Sequence, residues 1–144
     1  MNDRQWATFV AGAGIQADRN AKTFTPLWDE FSADPSGEIS YHDFGAIVMI
    51  WTDALTIGTS NGVTLTWGSG SVPEAIRPSA TRLVRCNVID SGSSWAGNAA
   101  IATDGSVIFS LETVSGTQIT SANNVFTNVG NKGLPSGFLL VFAK

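Results

Sequence analysis

From Gly45 onward, turn-forming residues interrupt the chain roughly every eight to twelve positions, and the pieces between them are short and rich in Val, Ile, Thr, Phe and Trp. That spacing confines residues 45–144 to a succession of short strands, and so to an all-β fold of the β-sandwich or jelly-roll-like kind. In Val63-Thr-Leu-Thr-Trp67 the alternation is complete, which puts Val63, Leu65 and Trp67 on one face and both threonines on the other. Before it, Thr59-Ser-Asn-Gly62 predicts a hairpin back to residues 54–58, because Asn-Gly supplies the positive φ angles of a two-residue turn. Residues 46–51 read as a continuous apolar strand.

After a Gly/Ser/Pro loop over 68–78, residues 81–89 make the longest strand, with Val84, Cys86 and Val88 on one face. Asp90-Ser-Gly-Ser-Ser94 is a turn, and residues 95–102 and 106–112 pair across Thr103-Asp-Gly105. Val114-Ser-Gly116 leads into a strand at 117–121, followed by a polar stretch with Asn123, Asn124, Asn128 and Asn131. Phe138-Leu-Leu-Val-Phe142 closes the chain as a strand so apolar that it needs cover on both faces, from its own sheet or another subunit. The core expected of this body is Val63, Leu65, Trp67, Val84, Cys86, Val88, Val107, Phe109, Leu111, Leu139 and Val141.

Residues 1–44 differ in character. They hold three basic and seven acidic residues, while the remainder has five of each, so the whole net charge of −4 sits there. Ala11-Gly-Ala-Gly14 and Pro26 interrupt any long helix, while Trp6, Phe9 and Val10, and again Leu27, Trp28 and Phe31, fall at helical spacing. Two short helices joined by irregular chain are expected, forming an N-terminal attachment arm (1–44) beside a β domain (45–144). Such an arm has no periodicity with which to bury its own aromatics, so Trp6, Phe9, Phe24, Leu27, Trp28 and Phe31 are the expected partner-binding residues.

Charged residues are 14% of the chain, against about 25% in typical soluble domains. A surface so weakly charged suits a protein assembled against other proteins. With no basic stripe to displace counterions, nucleic-acid binding is not expected. The N-terminus lacks the features of a secretory signal, and residues 46–51 fall far short of the ~20 a membrane span needs, so a product made in the cytoplasm, with no membrane partner, is expected.

Catalytic chemistry is thinly supplied. His42 is the sole histidine and stands beside no nucleophile signature, Asp29 and Glu30 are neighbours that point apart, and Cys86 is a lone thiol best read as a small buried hydrophobe. A non-enzymatic chain without cofactor is expected. Phe31-Ser-Ala-Asp-Pro-Ser-Gly-Glu-Ile-Ser-Tyr-His-Asp-Phe44 has the outline of a calcium loop, with the oxygen-bearing Ser32, Asp34 and Ser36, then Gly37, Ile39 and Asp43, at the places of its ligands, turn glycine and apolar residue. Serine in first place and the short reach of Asp43 favour the plainer reading, an Asp-Pro-Ser-Gly turn leading into a strand.

Val72-Pro-Glu-Ala-Ile-Arg-Pro-Ser79, followed by Thr103-Asp-Gly-Ser-Val-Ile-Phe109, resembles a pattern of the trimeric β domains displayed on bacteriophage virions: tail-fibre tips, receptor-binding heads and head fibres. The resemblance spans residues 45–144, with Ala75-Ile76 where such domains often have Gly-Tyr or Gly-Phe. It implies a homotrimer on the virion surface, in contact with the major capsid protein or another virion protein. Two roles compete within it. A capsid decoration, cement or head-fibre protein would grip the head through its arm, whereas a receptor-binding or tail-fibre piece would recognise host glycan. Trp67, Trp95 and the Asn-rich stretch keep a carbohydrate-binding module in view as a third.

Overall fold

The computed structural model describes residues 21–112, 126–127 and 130–144. Eleven described strands run β1 (Lys22–Phe24), β2 (Phe31–Ala33), β3 (Ile39–Asp43), β4 (Ile47–Thr52), β5 (Thr56–Ser60), β6 (Leu65–Trp67), β7 (Arg82–Asp90), β8 (Ser93–Ile101), β9 (Val107–Leu111), β10 (Gly130–Leu134) and β11 (Phe138–Ala143). They form a four-stranded antiparallel sheet in the order β1-β3-β4-β11 and a strongly curled seven-stranded sheet in the order β2-β5-β10-β7-β8-β9-β6. The fold is all-β, as its turn spacing predicts.

The meander β7-β8-β9 follows local chemistry. Ser91 (φ 49°) and Gly92 (φ 76°) both take left-handed backbone between the paired residues Asp90 and Ser93, the geometry of a two-residue hairpin turn. At the next corner Asp104 Oδ1 accepts from Ser106 N (2.9 Å) and Ser106 Oγ (2.7 Å), which places Ile101 opposite Val107. These bonds also hold the Asp104 carboxyl below its ordinary range.

The chain between β1 and β2 decides the architecture. Asp29 N donates to Thr66 O (3.2 Å), Gly68 N donates to Leu27 O (2.7 Å), and Trp28 bridges Trp67, so residues 27–29 lie along the free edge of β6. Two residues later the same chain becomes β2 and pairs with β5 at the opposite edge. One segment thus joins both edges of the curled sheet. This overturns the expected helix at Leu27, Trp28 and Phe31: the segment is extended, because edge carbonyls and amides on both sides offer it backbone partners. It also overturns the expected Asn-Gly hairpin. β5 and β6 do not pair with each other; Asn61 N donates to Glu30 O (2.7 Å), and the intervening segment separates them.

A single core fills the space between the sheets, and Trp67 is its hub. Its ring meets Trp28 at 5.8 Å, Phe24 at 5.7 Å, Phe109 at 5.2 Å and Phe138 at 6.5 Å, edge-on in each case. Of the expected core, Leu65, Trp67, Val88, Val107 and Phe109 are buried, and Val84, Cys86 and Leu111 pack against them half-buried. Val63, Leu139 and Val141 are corrections, being exposed. In β11 it is Phe138, Leu140 and Phe142 that point inward. A run apolar on both faces carries no alternation to set its phase, and the aromatic rings take the core.

One further strand, β10, stands where a polar stretch was expected. β10 lies in the middle of the curled sheet, yet Gly130-Asn-Lys-Gly-Leu134 has none of the usual strand residues. Gly133 (φ 151°) is required there, since a Cβ would overlap the carbonyl oxygen of Thr56 on β5. Residues 54–58 and 63–67 are strands displaced or shortened to β5 and β6. The expected strand at 117–121 lies outside the described residues.

Candidate functional site

The outer face of the four-stranded sheet is the feature that the core does not absorb. Because Val48 and Ile50 of β4 and Phe138, Leu140 and Phe142 of β11 point inward, their neighbours point outward. Register places Leu139 opposite Trp51, Val141 opposite Met49 and Ala143 opposite Ile47, an apolar row on both strands. Leu139 is 47% exposed, Val141 48% and Ile47 36%, while Met49 and Trp51 are half-buried. Antiparallel sheets that face water on one side ordinarily alternate to polar residues there; β3 does, with Ser40 and His42 beside Trp51 and Met49, but the β4–β11 pair does not.

The borders of that face are quiet electrostatically. On β3, His42 stacks against Trp51 (5.1 Å between centroids, 25° between planes) and lies 5.5 Å from Phe44. At the far corner Lys144 Nζ is 2.8 Å from Asp43 Oδ2 and donates to Ala75 O at 3.0 Å. Along the free edge of β11, Arg82 Nε donates to Ala143 O (3.0 Å) and its terminal nitrogen to Lys144 O (3.3 Å), capping carbonyls that would otherwise invite a further strand.

The expected partner-binding residues separate into three groups. Phe24, Trp28 and Phe31 lie within this chain's own core: Trp28 is 8% exposed and meets Phe31 at 5.6 Å, while Phe24 meets Tyr41 at 6.0 Å. The premise that they lack a private core is corrected, since the core is assembled from distant strands and is invisible to local periodicity. Leu27, 59% exposed, remains on the surface. Trp6 and Phe9 lie outside the described residues. β3 and β4 pair as a hairpin around Phe44, so the described part of 1–44 contributes strands to both sheets.

The calcium-like stretch has no helix on either side. Ser32, on β2, donates to Thr59 O (3.1 Å), and Asp43, on β3, accepts from Gly45 N (2.9 Å) besides Lys144. The turn-into-strand reading describes it. Among the described residues no group of three or more His, Cys, Asp or Glu side chains converges as a metal site. Burial pushes the Cys86 thiol up to about 12, far from nucleophilic range. Among the described residues no helix is long and apolar enough to cross a membrane.

The feature that residue-by-residue reading missed most completely is Lys132, wholly buried in β10. Its signal was weak: a single lysine in a Gly/Asn-rich tract reads as a solvated turn.

No protein-family model and no curated protein matches the chain.

Proposed function

We propose that this chain is a non-enzymatic structural protein of a bacteriophage virion, a capsid decoration, cement or head-fibre protein that sits on the head surface as a homotrimer and displays its β body. The observation that carries the reading is the uncharged apolar row Ile47, Met49, Trp51, Leu139 and Val141 on the outer face of the four-stranded sheet. A water-facing sheet with that composition calls for a protein neighbour, and in the proposal the neighbour is another copy of the chain.

A second line of support comes from the two motifs that carry the phage resemblance, which interlock in space. Val72 N donates to Gly105 O (3.0 Å), Gly70 N donates to Asp104 O (3.0 Å), and Arg77 Nε donates to Val72 O (2.8 Å). Gly105 (φ 83°) stands where a Cβ would press on Arg77 Nε, so the Pro-rich turn and the Asp-Gly hairpin form one corner.

Two measurements test the proposal. Light scattering of the full chain should return three times the 15.1 kDa chain mass, and Leu139→Lys with Val141→Lys should return the monomer without loss of strand content. Removing residues 1–20, and with them Trp6 and Phe9, should abolish binding to phage heads that lack the protein while leaving the trimer intact. A monomeric wild-type chain overturns the trimer, and a truncated chain that still saturates heads overturns the attachment role.

The alternative, a receptor-binding or tail-fibre component recognising host glycan, is favoured by one observation: Trp95 on β8 is half exposed, unlike the core tryptophans Trp28 and Trp67.

A further inference from the structure

The outer face of the curled sheet carries a second apolar row, for which neither the core nor the four-stranded sheet accounts. On β7, β8 and β9 the inward residues Val84, Ala99 and Phe109 stand opposite one another in register, and the adjoining rung, Leu83, Ala100 and Ile108, faces out. Leu83 is 45% exposed and Ile108 42%, with Ala100 half-buried between them. The rung continues to Thr66 on β6, whose hydroxyl donates to Asp29 Oδ2 (3.3 Å). Two residues along β7, Arg85 Nη2 lies 3.0 Å from Glu112 Oε1. An apolar centre with matched polar groups around it is the anatomy of a protein-binding patch. Outside the β4–β11 face, the other large exposed apolar side chains among the described residues, Leu27, Leu55, Val63 and Trp95, stand singly.

What this row receives follows from symmetry, given the homotrimer of the proposed function, on which this inference rests. Three copies close around one axis through heterologous contacts, in which the surface that each copy offers differs from the surface that it receives. The β4–β11 row packed on its own counterpart would make a two-fold dimer instead. A trimer built on that row therefore requires a second apolar surface on the same chain.

Two surfaces that flank a common axis lie side by side on each copy, and these two rows do. They belong to different sheets, and the sheets adjoin where Arg82 Nε donates to Ala143 O (3.0 Å) and where Leu139 lines one cleft with Arg85 and Asn87. Neither row carries a charge, so neither has a charge to strip of water on burial. We infer that the β4–β11 row of one copy packs against Leu83, Ala100 and Ile108 of the next, in the same sense around the ring.

Light scattering of the full chain tests the pairing. Leu83→Lys with Ile108→Lys should convert the trimer to monomer, as Leu139→Lys with Val141→Lys should, while circular dichroism shows unchanged strand content. The milder Leu83→Thr with Ile108→Thr keeps residues suited to a strand surface and should raise the dissociation constant of the trimer about tenfold or more. An equimolar mixture of the two lysine variants retains one intact contact per pair, so it should associate and stop at two chains, at concentrations where each variant alone is monomeric. A trimer that survives both pairs of substitutions at Leu83 and Ile108 overturns this inference and leaves the trimer itself standing. A mixture of the lysine variants that shows no association overturns the pairing of these two surfaces. A wild-type dimer, dispersed by Leu139→Lys with Val141→Lys alone, places the β4–β11 row against itself and overturns both readings, as does a wild-type monomer.

Discussion

The ammonium group of Lys132 donates to the hydroxyl of Ser60 at 3.0 Å, in a position with no exposure to solvent. The same nitrogen donates to the Gly62 carbonyl and lies 5.9 Å from the centre of the Phe126 ring. Lys132 thereby ties the middle of the curled sheet to the β5–β6 connection. Asp90 stands nearby and is held in turn by Thr127, which donates to it from its amide (3.1 Å) and its hydroxyl (2.8 Å).

Replacing this lysine should be costly and should change how stability depends on pH. Lys132→Met keeps most of the volume but leaves Ser60 Oγ and Gly62 O without their donor, a loss of about 1–3 kcal/mol by denaturant unfolding. Desolvation lowers the Lys132 pKa from its ordinary 10.5, with Asp90 and Glu30 opposing the shift. The folded state then holds fewer protons than the unfolded state just below 10.5, so stability should rise with pH through that window. Lys132→Met should remove the rise; the comparison belongs in a Cys86→Ala background, which lacks an opposing slope.

Cys86 supplies that opposing slope. Its thiol ordinarily ionises near 9.0 and is pushed up to about 12 by burial, so above pH 9 the unfolded chain loses a proton that the folded chain keeps. Stability should fall by about 1.4 kcal/mol per pH unit there, and Cys86→Ala should flatten the fall. A thiol-specific reagent at pH 8 should label native protein far more slowly than unfolded protein.

Trp28→Ala should act first on stability. The indole is 8% exposed and packs edge-on against Phe31 and Trp67, so truncation should cost about 3–5 kcal/mol. A melting temperature unchanged in this variant would show that residues 27–33 do not seal the curled sheet.

Phe109→Ala and Leu139→Ala test the phase of the strands against each other. Phe109 is 2% exposed beneath Trp67 and Phe138, and its loss should cost about 3–5 kcal/mol. Leu139, 47% exposed, should cost well under half as much in dilute monomer. Equal losses would place Leu139 in a core.

The sequence by itself determined the β class, the β7-β8-β9 meander and the inward rows Leu65–Trp67 and Val107–Phe109, because each rests on turn residues or on polar and apolar alternation within a few positions. Tertiary structure decided the rest. Phe138-Leu-Leu-Val-Phe142 is apolar on both faces, so only the neighbouring β4 and the rings beneath it select which residues turn inward. The segment 27–33 is extended because two sheet edges far away in sequence offer it hydrogen bonds, against a local spacing that favours a helix. Lys132 is buried because Ser60 and Gly62, 70 or more positions away, replace its water. Hydrogen-bond partners and core contacts at that separation leave no trace in local periodicity, which is why the aromatic cluster of Phe24, Trp28 and Phe31 reads as an arm without a core until the sheets close around it.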